Sequence, residues 1–432
     1  MELGERDPGR APESVTRRLP DGGRESDTRT GGHAGREAST AGWVPTDDVI
    51  SEHPDRQVLV VGDTIVGLAL TLLLRRAGYD PLLVSEPNRP VPSRIASLCP
   101  PAIGVLDAIG VGTAIREYGT AIESVSVRDS APASEAPTVL SRETTPAETP
   151  VLVRRRRLRR ALDAQRPADQ RGGNRTVETL SQEDGGLAVE FEDGIREWFD
   201  VAVDASGCAA SLHTGCDAPP FDVLGQYELP TETEATRHQL REHWRPEAFV
   251  QQLPAPNGPG SVLRVTAPQP DIETALDWDS WEGIRPAESG DAVSEHDGRE
   301  EATVRQVGLS DAAVTREWWG SGRVACCGAA ACPIAPASGF DVTFGIEDAI
   351  AFVTALTSSA RPVPAVVDSY AAGRERRLTT LRRTVEAARS AHAYPIQRSV
   401  QSPLAAVGTF RAVTLGSFLG APMASIQRDG FG

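Results

Sequence analysis

Gln57-Val58-Leu59-Val60-Val61-Gly62-Asp63-Thr64-Ile65-Val66-Gly67 is the stretch on which the reading of the fold turns. Its first five residues are short, largely apolar and rich in β-branched side chains, as a buried parallel strand requires. Gly62 breaks the run, Ile65 to Ala77 reads as a helix, and Gly78 supplies a stop at its C-terminus. Pro81-Leu82-Leu83-Val84-Ser85-Glu86 reads as a second strand that ends in an acid. Strand, glycine turn, helix, strand and acid make a mononucleotide-binding unit. Alone the signal is weak, because Thr64 stands where the turn's second glycine belongs, and an ordinary strand–turn–helix carries a similar pattern.

Further along, Ala102 to Ile109 is helical in pattern, Ser124 to Arg128 strand-like, and Ala131 to Thr149 an insertion rich in Pro, Ala, Glu and Thr. Arg154 to Gln165 reads as a basic helix. Three short strands follow near 176–180, 187–191 and 198–203, with Asp184-Gly185-Gly186 and Asp193-Gly194 as turns, which predicts a small antiparallel meander. Residues 223–319 change texture, with many Trp and Pro and an acidic loop near 288–301. An apolar, glycine-rich pattern returns at Gly322. Helices are expected over 346–356 and 366–391, and a last apolar segment runs from Pro403 to Ala424. No internal repeat is present.

The 432 residues are 40% hydrophobic and 24% charged, too apolar for a wholly disordered chain. Acids outnumber bases 60 to 44, for a formal charge of −16, and every basic residue is Arg. Such a balance repels phosphate-rich partners, which argues against a nucleic-acid or membrane-surface binder. An acidic, Lys-free composition fits a halophilic, cytoplasmic protein; a bias in genome base composition would also favour Arg codons. The first 56 residues lack the apolar core of a signal peptide and read as a disordered acidic, Arg-rich tail. The run from Val58 to Leu74 is interrupted by Gly62-Asp63-Thr64, so no integral membrane span is expected. Six cysteines are too few for a disulfide scaffold. Cys208 and Cys216 flank His213, and Cys326, Cys327 and Cys332 cluster, but without a CxxC knuckle they read as buried thiols and no metal site is expected.

Two later segments lift the glycine turn above background. Val203-Asp204-Ala205-Ser206-Gly207 follows the meander, and Gly322-Arg323-Val324-Ala325-Cys326-Cys327-Gly328-Ala329 runs on through Pro336-Ala337-Ser338-Gly339-Phe340 to Ile346-Glu347-Asp348-Ala349. Between the first two motifs lie Arg94-Ile95-Ala96-Ser97-Leu98 and the Arg155–Leu158–Leu162 spacing of an R-x-x-L-x-x-x-L helix. In this order the landmarks resemble the flavin-dependent aromatic hydroxylases, the para-hydroxybenzoate hydroxylase-like FAD proteins, over roughly residues 57–389. The resemblance implies an α/β fold: a Rossmann-type FAD-binding domain with an inserted antiparallel-sheet substrate domain and C-terminal helices. The corresponding division starts with a tail (1–56) and an FAD-binding segment that includes the meander (57–222). A substrate domain (223–319), a second FAD-binding segment (320–365) and a C-terminal helical segment (366–432) follow.

The resemblance also implies roles. Gly62, Thr64 and Gly67 would form the diphosphate turn, with the cofactor's charge meeting a helix N-terminus. Glu86 would accept from the adenosine ribose, and Arg94 and Arg155 would line the diphosphate and flavin side. Gly207, Gly328, Ala329, Pro336 and Gly339 complete the cofactor-binding set, with Pro336 beside the ring. Several positions depart from the family pattern. Ala329 replaces an aspartate that bonds the ribityl chain, and Cys332 replaces a histidine. Asp341 falls where a glycine faces the flavin, and Asp63 and Thr64 crowd the diphosphate turn. One lost ribityl hydrogen bond costs on the order of 1–2 kcal/mol, about tenfold in affinity.

The function implied is an FAD-dependent monooxygenase-like oxidoreductase, with NAD(P)H as donor and a small, aromatic organic molecule as substrate. Two alternatives stay open: a non-catalytic FAD-fold protein acting as a binding or scaffold module, and a flavin reductase of the geranylgeranyl reductase or halogenase-like type, which shares Asp-Ala-Ser-Gly. With no lysine in the chain, a halogenase mechanism that needs one is excluded. No Ser-His-Asp or paired-carboxylate arrangement stands out, so no catalytic acid or base is assigned. Trp318, Trp319, Tyr227 and Trp281 are candidates for the substrate pocket, although core packing suits aromatic residues as well.

Overall fold

The structure is a computed structural model and describes residues 55–85, 95–129, 138–143, 149–167, 175–183, 185–207, 212, 223–231, 238–244, 249–256, 261–268, 306–307, 316–331 and 341–393. In chain order it contains β1 (Val58–Val61), α1 (Ile65–Arg76), β2 (Leu82–Val84), β3 (Ile95–Leu98), α2 (Pro100–Ala108), α3 (Gly112–Tyr118), β4 (Gly119–Ala121), β5 (Ser124–Asp129), β6 (Thr138–Glu143), β7 (Val151–Arg154) and α4 (Arg155–Ala164). Next come β8 (Val177–Glu183), β9 (Gly186–Phe191), β10 (Arg196–Phe199), β11 (Val201–Asp204), β12 (Val223–Thr231), β13 (Gln239–Trp244), β14 (Phe249–Pro254) and β15 (Ser261–Pro268). β16 (Gln306–Val307), β17 (Gly320–Ser321), β18 (Val324–Cys326), α5 (Asp341–Thr357) and α6 (Val363–Ala393) complete the set.

The central sheet has the order β17-β18-β11-β1-β2, parallel throughout except for β17 at one edge. Strands β1, β11 and β18 are buried at every residue, which is why they read as continuous apolar runs. The pleat divides β1 between two cores. Val58 and Val60 face the helices, while Leu59 and Val61 face Leu187, Val189, Phe191 and Phe199 of the meander β8-β9-β10. Helix α1 is apolar on all sides because the sheet covers one face and α4 and α5 cover others; every residue from Gly67 to Leu74 is buried.

A second sheet of seven strands has the order β16-β12-β15-β14-β13-β5-β6. All its pairs are antiparallel except β13 with β5. It joins the body through Leu240 and Leu253, which pack with Ile95, Cys99, Ile122 and Leu152. A third, small sheet orders β3-β7-β4. The architecture is thus α/β, a Rossmann-type parallel unit with an inserted, mainly antiparallel sheet and C-terminal helices.

Three details differ from the sequence reading. The strand expected over 198–203 is two strands in different sheets. In β10 burial alternates and Trp198 is half exposed, whereas β11 is wholly buried; the chain turns between them at Asp200, whose carboxylate accepts the Gln57 N–H at 2.8 Å. The Pro-rich insertion holds β6, which pairs with β5, so 124–143 contributes two strands to the second sheet although the sequence division places it with the FAD-binding residues. Helix α5 begins at Asp341, five residues earlier than expected, with an acid at its positive end. Residues 1–54, the acidic loop near 288–301, Trp281 and the segment 403–424 lie outside the described residues. Among the described residues, no helix is long and apolar enough to cross a membrane.

Candidate cofactor-binding site

Three loops meet at the C-terminal edge of the central sheet, where open α/β folds bind ligands. They follow β1 (Gly62–Thr64), β11 (Ala205–Gly207) and β18 (Cys327–Ala329). Ala205 N–H donates to the Val61 carbonyl and Cys327 N–H to the Asp204 carbonyl, each at 2.8 Å. Buried Asp204 fixes the middle loop, accepting Ser206 N–H at 2.9 Å and the Ser206 hydroxyl at 2.6 Å.

Gly62 has φ +104°, and a Cβ there would lie 2.4 Å from the Ser206 Cα. At Gly67 a Cβ would meet the Gly62 carbonyl oxygen at 1.9 Å. Both glycines are therefore demanded by close packing of the turn, the helix and the neighbouring loop. Thr64 is the N-cap of α1. Its hydroxyl accepts the Gly67 N–H at 3.1 Å and donates to the Ala205 carbonyl at 2.7 Å. The hydroxyl's proton is thus committed to the protein rather than to a phosphate. No acid lies in the first turn of α1, and the N–H groups of Ile65 and Val66 have no intrahelical partner.

The two aspartates that depart from the family pattern are both paired, and with the same helix. Arg159 Nε donates to the Asp63 carbonyl at 3.0 Å, and its Nη2 bonds the Asp63 carboxylate. One turn earlier on α4, Arg155 Nη2 reaches both carboxylate oxygens of Asp341. Residues four apart lie on one face of a helix, so α4 presents both guanidinium groups to this edge. The sequence points to Arg155 but not to Arg159, because nothing in a run of six arginines within seven positions singles the latter out. Arg155 is buried, and its Nε has no acceptor among the described residues.

The loop after β18 is held from behind. Gly328 N–H donates to Asp348 Oδ2 at 2.8 Å, Tyr370 donates to the Cys326 carbonyl at 2.7 Å, and Gly345 of α5 packs against Gly328 and Val66. Asp348 belongs to a buried ionic cluster with Glu347, Arg374 and Arg377. Burial pushes the Asp348 carboxyl up to about 6, against the opposing pull of Arg374. Burial also raises the thiols of Cys99 and Cys327 above the ordinary cysteine value, which keeps them protonated and unreactive. Asp348 stands within one of the sequence motifs, yet its role is legible only once α5 packs against the loop.

Gly62, Thr64, Gly67, Arg155, Gly207, Gly328 and Ala329 all lie on the three loops or on α1 and α4 beside them. Gly207 has φ +101° and open space around its Cβ position, and Ala329 forms a short helical turn with Gly328 and Ala330. Glu86, Arg94, Pro336 and Gly339 lie outside the described residues, as do Cys208, His213, Cys216 and Cys332. Trp318 and Trp319 are buried in the main core. The described side chains form no group of three or more metal-ligand residues. The residues present fit FAD: a glycine turn facing a helix N-terminus suits its diphosphate, Arg159 offsets Asp63, and the orphan Arg155 Nε can take an acceptor.

Residues 55–197 match the family model described as the FAD binding domain. No curated protein matches the chain in sequence. Among solved structures, HpxO of Klebsiella pneumoniae complexed with FAD and uric acid is 18% identical, with 86% of this chain and 97% of that chain covered and a TM-score of 0.62. PqsL, a probable FAD-dependent monooxygenase from Pseudomonas aeruginosa, is 19% identical, with 78% and 96% covered and a TM-score of 0.60. The tetracycline destructase Tet(51) is 16% identical, with 86% and 98% covered and a TM-score of 0.54. Residues 55–197 thus match the FAD binding domain, and the chain shares its fold with FAD-bound HpxO and with PqsL.

Proposed function

We propose that the chain is an FAD-dependent oxidoreductase of the monooxygenase type that takes its electrons from NAD(P)H and oxidises a small organic, aromatic molecule. The observation that carries the reading is the convergence of the three motif loops and the α1 N-terminus at one sheet edge, with Asp63 neutralised there by Arg159. Bound FAD would supply the electron transfer and oxygen chemistry, and the protein supplies position and electrostatics. Gly62 and Gly67 let the backbone approach the diphosphate, and Ile65 and Val66 N–H groups face its charge. The face of the second sheet that carries Leu240 and Leu253 packs toward Phe344 in the first turn of α5, and provides an apolar wall from which water is excluded. HpxO and PqsL have been solved with uric acid and with 2-aminobenzoylacetate respectively, and both are small, ring-containing organic molecules. A substrate of that size and polarity suits this reading.

A visible absorption spectrum of the full chain, purified with and without added FAD in high salt, tests the proposal. Flavin bands at near-equimolar occupancy, followed by NAD(P)H oxidation stimulated by aromatic candidates, are expected. A folded protein that binds no FAD overturns it. The reading as a non-catalytic binding module would then stand, favoured by Thr64, whose hydroxyl takes up the Gly67 N–H that a phosphate would otherwise use.

A further inference from the structure

Helices α4 and α5 both pack against α1, and their first residues are ion-paired. Arg155 opens α4, where a cation opposes the helix dipole; Asp341 opens α5, where an anion is favoured. Both side chains are about nine-tenths buried, at 10% and 12% exposure. Nη2 of the guanidinium serves Asp341, while Nε is buried without an acceptor among the described residues. An orphan buried N–H carries a desolvation cost until an acceptor reaches it. The neighbouring pair is different: Arg159 uses both Nε and Nη2 on Asp63 and lies half exposed. Arg155 therefore has the chemistry of an anion-binding residue whose partner is currently internal.

We infer that Asp341 is a built-in competitor for Arg155 that sets the affinity of the chain for FAD. Cofactor binding trades the Asp341 carboxylate for an acceptor oxygen or nitrogen of FAD, and it must do so against a carboxylate that also occupies the positive end of α5. The inference rests on the flavoprotein reading above and deepens it, naming Asp341 as the residue that determines cofactor affinity. An uncharged residue at 341 leaves Arg155 buried and unpaired in the apo chain, so the apo protein loses stability while FAD gains a free charge-assisted donor.

The experiment compares the full chain with Asp341→Asn, Arg155→Gln and the double variant. FAD affinity is read by flavin fluorescence quenching, apo stability by thermal unfolding, and folding by circular dichroism. Asp341→Ser, which keeps an N-terminal capping oxygen, serves if the Asn variant does not fold. Asp341→Asn should bind FAD at least tenfold more tightly than the unaltered chain and unfold at lower temperature without FAD. Arg155→Gln should weaken binding, and adding Asp341→Asn to it should restore nothing. Titration with FMN and riboflavin identifies the acceptor: a gain shared by riboflavin places it on the ring or the ribityl chain, and a gain absent with riboflavin places it on a phosphate. Unchanged or weaker FAD binding in a folded Asp341→Asn variant overturns the inference, as does a gain that persists without Arg155. If no variant binds FAD at all, the flavoprotein reading itself falls, an outcome distinct from tight binding that ignores residue 341.

Discussion

Arg374 Nε lies 2.5 Å from a carboxylate oxygen of Asp348, with both side chains buried between α5 and α6. The same guanidinium approaches Glu347 at 3.5 Å, and Arg377 approaches Glu347 at 3.4 Å. Two cations and two carboxylates thus share a dry interface directly behind the loop after β18.

Removing one cation from this cluster leaves buried carboxylate charge uncompensated. Arg374→Met should therefore cost about 3–5 kcal/mol, because among the described residues Arg377 pairs with Glu347 and not with Asp348. Urea unfolding checks this. A fall in the midpoint with an unchanged slope is expected. A loss below about 1 kcal/mol would mean that water reaches the cluster and screens it.

The same cluster gives stability a pH dependence of defined sign. The Asp348 carboxyl titrates at about 6 in the fold against an ordinary value of 3.8, because burial outweighs Arg374. Between those values the folded state holds a proton that the unfolded chain has released. The Asp348 contribution therefore rises as pH falls from about 6 to about 4, by roughly 3 kcal/mol, and is lost as pH climbs back through 6. Asp348→Asn keeps an oxygen for the Gly328 N–H and cannot titrate. Its stability, compared with that of the unaltered chain across this window, should lack that component, and parallel curves would refute the assignment.

Thr64 carries a smaller, local share. Thr64→Ala removes the cap of α1 and the tether to the Ala205 carbonyl together, and should cost about 1–2 kcal/mol. Thr64→Gly keeps much of the cap preference and frees the Gly67 N–H. It should therefore destabilise less than Ala and bind FAD more tightly. Calorimetric unfolding and FAD titration of the two variants together separate the capping role from crowding at the turn.

What the sequence discloses and what it conceals follow from the range of each interaction. The β1–α1–β2 unit, the strand 186–191 and the helix 155–164 rest on local periodicity and turn residues, and they emerge within a residue or two of expectation. The division of 198–203 into β10 and β11 does not, because Arg196 to Asp204 is apolar enough for one strand and only pairing with β1 separates its second half. Asp63 and Asp341 read as isolated charges injurious to cofactor binding. Their partners, Arg159 and Arg155, lie 96 and 186 residues away, and no local pattern announces such a pairing. Strand β6 is hidden in the same way, since its flanks are rich in Pro and Glu and its pairing with β5 is what holds it.

Two glycines in helices make opposite predictions. At Gly67 an added Cβ meets the Gly62 carbonyl oxygen at 1.9 Å, so backbone must move, and neither β1 nor α1 can yield without opening the core around Leu68. Gly67→Ala should cost about 3 kcal/mol or more and abolish FAD retention, since the shift widens the turn that faces the diphosphate. Gly104 in α2 has nothing within 4 Å of its Cβ position and ordinary helical backbone. Gly104→Ala should stabilise by about 0.5–1 kcal/mol, through the reduced freedom of the unfolded chain, and leave FAD binding unchanged. Chemical denaturation of both variants beside the unaltered chain checks the pair. A neutral Gly67→Ala would mean that α1 is not seated on the Gly62 turn, and the cofactor site built on that contact would have to be redrawn.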